Sequence, residues 1–68
     1  MVEVTSSNIK AIDYKDGELI VEYLSGAVYK YKHVPRERFK EFMESESKGR
    51  YMNESIKGHY EYERVVNE

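Results

Sequence analysis

Apolar and polar residues alternate through the first half of the chain, and then the period lengthens. The runs NIKAIDY, ELIVEYL and AVYKYK, starting at residues 8, 18 and 27, are rich in Ile, Val and Tyr. Two turn signals, Asp16-Gly17 and Ser25-Gly26, separate them. Short β-rich runs between such breaks predict three strands in an antiparallel meander. Asp-Gly as a two-residue hairpin loop sets Lys15 opposite Glu18, Tyr14 opposite Leu19 and Ile12 opposite Val21. The second loop admits two registers. A two-residue Ser-Gly loop sets Tyr29 and Tyr31 against Glu22 and Ile20. A three-residue loop, Leu24-Ser25-Gly26 with a left-handed glycine, sets them against Val21 and Leu19. The longer loop is preferred because it gathers Ile12, Tyr14, Leu19, Val21, Tyr23, Ala27, Tyr29 and Tyr31 on one face. The other face then holds Asp13, Glu22, Lys30 and Lys32, with Ile9, Ile20, Leu24 and Val28. A slip of one residue would invert this assignment.

From Pro35 the spacing is helical. Phe39, Phe42 and Met43 form one stripe over residues 35–47, with charges elsewhere. Pro35 suits the first helical position, and Gly49 suits a stop just past the end. Residues 50–57, RYMNESIK, predict a second, shorter helix that buries Tyr51, Met52 and Ile56 and breaks at Gly58. The tail HYEYERVV alternates and is a candidate fourth strand. The expected class is α+β: a three-stranded antiparallel meander, one longer and one short helix against one face, and this C-terminal strand.

Sixty-eight residues make a single domain, 1–68. A chain of this size buries only about 60% of its unfolded surface. There is no cysteine, so neither a disulfide nor a thiolate metal site is available, and no cofactor is expected. No apolar run exceeds three residues, far short of a membrane span. The start, MVEVTSSN, lacks a secretory pattern, so a cytoplasmic protein is expected. The net charge of −2 argues against a surface that is basic throughout. Its distribution changes the picture. Lys30, Lys32, Arg36, Arg38 and Lys40 face a single acid, Glu37, before the acidic stretch EFMESE begins. A local basic patch is compatible with an acidic chain, although its far field is partly cancelled.

The ordered series of motifs resembles the KTSC domain, named after the C-terminus of some lysyl-tRNA synthetases and also found as a stand-alone bacterial or phage protein. The matching residues begin with Ser6-Ser7, Tyr14, Leu19-x-Val21-x-Tyr23, Gly26, Tyr29-x-Tyr31 and Val34-Pro35. They continue with Ser47-x-Gly49-x-Tyr51, Asn53, Ile56-Lys57 and Tyr60-x-Tyr62. The resemblance covers nearly the whole chain. It implies a small module, with RNA binding suggested by its attachment to a synthetase.

Candidate binding chemistry centres on VYKYKHVPRERF, residues 28–39. Tyr29 and Tyr31 could stack on unpaired bases. On the preferred register they pack under the helix instead, with hydroxyls at the rim. Lys30 and Lys32 point the other way and, with Arg36 and Arg38, could track phosphates. The alternative is an ordinary solvated face. Arg36 and Arg38 lie in the first turn of the predicted helix, where the helix dipole favours acids. An anion between Lys32 and this helix start would meet free N–H groups and two guanidiniums. Ile20, Leu24 and Val28 form an apolar strip suited to a protein partner or self-association, unless Val2, Val4, Val65 or Val66 folds over it. Ser47 and Asn53 suit capping or loop bonding. His33 and His59 lack metal-ligand spacing. Ser6 or Ser7 with His33 and Asp13 makes a nominal triad but no strained nucleophile turn. The expectation is a non-enzymatic module that binds RNA or single strands, or alternatively a protein-interaction module.

Overall fold

The computed structural model describes residues 2–3 and 8–65. Strands β1 (Val2–Glu3), β2 (Ile9–Lys15), β3 (Glu18–Tyr23) and β4 (Val28–Tyr31) precede helices α1 (Arg36–Glu44) and α2 (Lys48–Tyr51). A π-helical turn, Met52–Ile56, and strand β5 (Tyr62–Val65) complete the chain. The five strands form one antiparallel sheet in sequence order. The fold is α+β, with the tail pairing as an edge strand beside β4.

Both hairpins take the expected registers. Asp16 and Gly17 have φ of 51° and 80°, so the loop is of the doubly left-handed kind that matches strand twist. Lys15 faces Glu18, Tyr14 faces Leu19, and Ile12 faces Val21. At the second hairpin Gly26 has φ of 96°. Tyr23 N–H donates to Ala27 O at 2.8 Å, which closes a three-residue loop. Val21 therefore faces Tyr29, and Leu19 faces Tyr31.

Ile9 departs from the expectation. It pairs with Tyr23, yet Ala11 pairs with Glu22, so Lys10 is an extra residue in the ladder. Such a bulge moves everything before it to the opposite face. Ile9 is thereby placed in the core, not on the outer face. The core comprises Ile9, Ile12, Leu19, Val21, Tyr31, Val34, Phe42, Met52 and Ile56. Two ring stacks tie the helices to it: Tyr14 on Phe39 at 4.8 Å, and Phe42 on Tyr51 at 5.4 Å. The linker after β4 turns at His33, with φ of 57°. It is pinned where Val34 N–H donates to Gly17 O (2.8 Å) and the Tyr14 hydroxyl donates to Val34 O (2.6 Å).

The helical half differs from the periodicity in its ends. α1 stops at Glu44 because Ser45 turns extended, with both its N–H and its hydroxyl donating to Phe42 O. Gly49 is no terminator; it lies inside α2, whose N-cap is Ser47. The predicted helix over 50–57 becomes α2 running into the π turn, where Lys57 N–H bonds Met52 O five residues back at 2.8 Å.

On the outer face, pairing of β4 with β5 sets Lys30 opposite Glu63. Glu63 lies 3.2 Å from the Lys30 ammonium and 3.7 Å from that of Lys32, and Glu18 lies 3.6 Å from Lys30. Lys30 holds the Glu63 carboxyl below its ordinary pKa, with Lys32 adding to the effect. Glu63 in turn raises Lys30. The carboxyl contributes stability above its unfolded pKa and loses it as pH falls through the depressed folded value. The ammonium contributes below its unfolded pKa and loses it as pH rises through the raised one. The network therefore operates across neutral pH.

Phe42→Ala should cost about 3–5 kcal/mol in urea unfolding. Ile20→Ala, on the half-buried outer face, should cost much less. The loss of stability between pH 7 and pH 3 should shrink in Glu63→Gln relative to wild type, read from unfolding midpoints.

Candidate functional site

Strand β4 divides the expected binding residues between two sides of the sheet. Tyr29 and Tyr31 face the helices, and Lys30 and Lys32 face outward. The two lysines do not form an open phosphate track, because β5 brings Glu63 between them. Arg36 is exposed at the start of α1. Arg38 lies 3.7 Å from Glu41 one turn on. The Tyr51 hydroxyl, and after it that of Tyr60, stabilises the Arg38 guanidinium and raises its pKa. The unfavourable dipole position of Arg38 is thus offset locally, which removes the signal that singled it out. The six expected residues do not converge on one surface.

The tyrosine side holds a different arrangement. Among the described residues, the β4–β5 end of this face is the exposed one, with Tyr62 61% exposed. Four rings line it in sequence. Tyr23 meets Tyr29 edge-on at 5.7 Å, Tyr29 meets Tyr62 at 5.8 Å, and Tyr62 meets Tyr31 at 5.6 Å. Tyr31 is buried and Tyr29 is half-buried, and Tyr62, which touches both, is exposed. Together with Lys57 and Gly58, these rings line a cleft of about 470 Å³. A second hollow of about 380 Å³ adjoins it and shares Tyr23, Tyr29 and Lys57.

Burial pushes the Tyr31 phenol well above its ordinary pKa, and the Tyr23 hydroxyl adds to this. Burial also raises Tyr23, partly offset by Tyr31. Both phenols stay protonated at any physiological pH. The Tyr23 hydroxyl is enclosed and makes no well-formed hydrogen bond among the described residues, despite its electrostatic contact with Tyr31. The cation lining both hollows is Lys57, whose ammonium sits 5.6 Å from the Tyr23 ring centroid; Arg64 pairs opposite Tyr29 on the neighbouring edge strand. No Asp or Glu among the described residues lines either hollow.

Tyr62 and Lys57 stand in the sequence as family-motif residues, but neither of them, nor Arg64, is assigned a binding role there. Tyr60-x-Tyr62 was a visible alternation, but its place beside Tyr31 requires knowing that β5 pairs with β4. Lys57 is aimed by the π turn, which has no sequence signature.

Other candidates stay dispersed. His59 Nε2 lies 3.1 Å from Glu54 O, and His33 is exposed at its turn. No cluster of metal-ligating side chains occurs among the described residues. Ser6 and Ser7 of the nominal triad lie outside the described residues, as do Val4 and Val66. The Asp13 carboxylate accepts the Tyr14 N–H at 2.9 Å. On the outer face Val28 pairs with Val65, Ile20 and Val28 are half-buried, and Leu24 is exposed. No described helix is long and apolar enough to cross a membrane.

This architecture has relatives. An uncharacterised protein of Stutzerimonas stutzeri is 37% identical over 67 residues, spanning 94% of each chain. A Tsukamurella paurometabola protein is 39% identical over 59 residues, spanning 84% of this chain and 88% of that one. The crystal structure of a KTSC domain protein from Yersinia pestis matches with a TM-score of 0.90 at 32% identity, covering 94% of this chain and 93% of that one. The KTSC domain profile matches residues 5–60. On these grounds the chain belongs to the KTSC domain family.

Proposed function

We propose that this protein is a non-enzymatic module that binds single-stranded nucleic acid, RNA foremost, through the tyrosine cleft at the β4–β5 end of the sheet. The observation that carries the reading is the exposed ring of Tyr62 set between half-buried Tyr29 and buried Tyr31, in a cleft that Lys57 lines and no carboxylate among the described residues does. Stacking of unpaired bases on such rings is worth about 1–3 kcal/mol per base, and it tolerates any sequence because every base has a flat face. A duplex keeps its base faces covered and gains none of this. Lys57 and Arg64 supply phosphate contacts in place of Lys30 and Lys32, whose charge is spent on Glu63 and Glu18. Arg36 and Arg38 are left with a peripheral role.

A protein-interaction role draws instead on the outer apolar strip, where Leu24 is 59% and Val65 is 39% exposed. The two roles separate experimentally. Labelled single-stranded RNA and duplex are titrated at several salt concentrations, with sedimentation in parallel. Single strands should bind and duplex should not. Two phosphate contacts on a single strand give a log–log salt slope of about −1.4. Tyr62→Ala should weaken binding about tenfold or more, while Lys30→Ala leaves it near wild type. Equal affinity for duplex, or loss of binding in Lys30→Ala but not Tyr62→Ala, contradicts the proposal. Absence of binding together with self-association supports the outer strip.

A further inference from the structure

We infer that the minimal ligand of the cleft is one nucleoside phosphate, with its ring on the Tyr29–Tyr62 pair and its phosphate held by Lys57. This rests on the cleft reading above and names the chemical unit that the site takes.

Three observations select that unit. The first is size and shape. A cleft of about 470 Å³ falls in the range of sites for single small ligands, roughly 300–1,000 Å³. Its open rim is Tyr62, and its floor is the buried Tyr31. One ring system is admitted, not a stack of several.

The second is charge. Rows of aromatic rings also serve as cages for ammonium groups, which sit over the ring faces. Here that role is disfavoured. Lys57 already lies over the Tyr23 face, Arg64 stands opposite Tyr29, and no carboxylate among the described residues lines the cleft. An incoming cation would meet the like charge of Lys57 with no counter-charge among the described lining residues, whereas an anion meets an opposite one.

The third is the state of Lys57. Among the described residues no acid pairs with it, unlike Lys30, Lys32, Arg38 and Arg50. Its backbone is fixed by the π turn, through the bond to Met52 O. Among the described residues its flexible side chain is held by the ring of Tyr23. An exposed cation–π contact is weak. A charge-assisted bond to a phosphate oxygen is stronger, so the ammonium exchanges one for the other at little cost. Lys57 thereby makes the cleft prefer a nucleotide over the bare nucleoside.

The test titrates the full chain with uridine, uridine 5′-monophosphate, a five-residue uridine oligonucleotide and choline, following backbone and tyrosine-ring NMR shifts. Wild type, Lys57→Gln, Lys57→Arg and Tyr62→Ala are compared, and their spectra report folding directly. The monophosphate should bind about tenfold more tightly than uridine, as one charge-assisted contact predicts. The ratio should fall close to one in Lys57→Gln and be mostly kept in Lys57→Arg. Tyr62→Ala should weaken both ligands alike. Equal binding of nucleoside and nucleotide by wild type, an unchanged ratio in Lys57→Gln, or tighter binding of choline than of the monophosphate overturns the inference. If the oligonucleotide shifts the cleft while the monophosphate shows no preference over uridine, this inference fails and the nucleic-acid reading stands. If the monophosphate shows that preference and the oligonucleotide fails to bind, the nucleic-acid reading fails and this inference stands.

Discussion

The register between β3 and β4 governs the rest of the molecule. Gly26, at φ of 96°, permits the three-residue loop that places Tyr29 opposite Val21 and Tyr31 opposite Leu19. Side chains alternate along a strand, so this one loop decides which of two chemically different faces of YKYK turns inward. A shorter loop would bury ammoniums and expose phenols. With the observed loop, Tyr31 completes the core beside Phe42 and Val34, and the lysines sit in a medium that tolerates charge.

The same register explains why the charged face is self-contained and the aromatic face is not. β5 pairs with β4 so that Glu63 meets Lys30 on the outside and Tyr62 meets Tyr31 on the inside. Outside, opposite charges close a small network. Inside, Phe39 and Phe42 of α1 and Met52 and Ile56 of the π turn pack on the core, which takes in Tyr31. Tyr62, on the edge strand, is 61% exposed among the described residues. The open side of the cleft is thus at the edge of the sheet, and Lys57 enters it because the wide turn delivers it there.

Local chemistry was legible in the chain. Asp16-Gly17 and the Leu24-Ser25-Gly26 loop announce both hairpins and their registers, since the partners are close in sequence and only one register collects the apolar residues. Strict alternation puts Ile9 on the outer face, but the bulge at Lys10 shifts the phase and turns it into the core, and its one trace in the sequence is the odd, three-residue step from Ile9 to Ile12. The end of α1 was misjudged because Ser45 competes for the Phe42 carbonyl, which ends the helix without glycine. The site was legible only to the extent that its residues come from one hairpin. Tyr29 and Tyr31 could be placed; that Glu63 pairs with both Lys30 and Lys32, or that Tyr62 joins the ring row, depends on a pairing between strands separated by the whole helical segment, and the aim of Lys57 depends on the π turn. Membership of the KTSC family agrees with that sheet but carries no ligand with it.

The central claim is that the tyrosine side, not the lysine side, meets the ligand. Its most direct test is residue-resolved NMR shift mapping during addition of a single-stranded oligonucleotide. Shifts should concentrate on Tyr29, Tyr62, Lys57 and Arg64 and leave Lys30 and Lys32 nearly unmoved. Shifts confined to Lys30, Lys32 and Arg36, with the rings of Tyr29 and Tyr62 undisturbed, would contradict it.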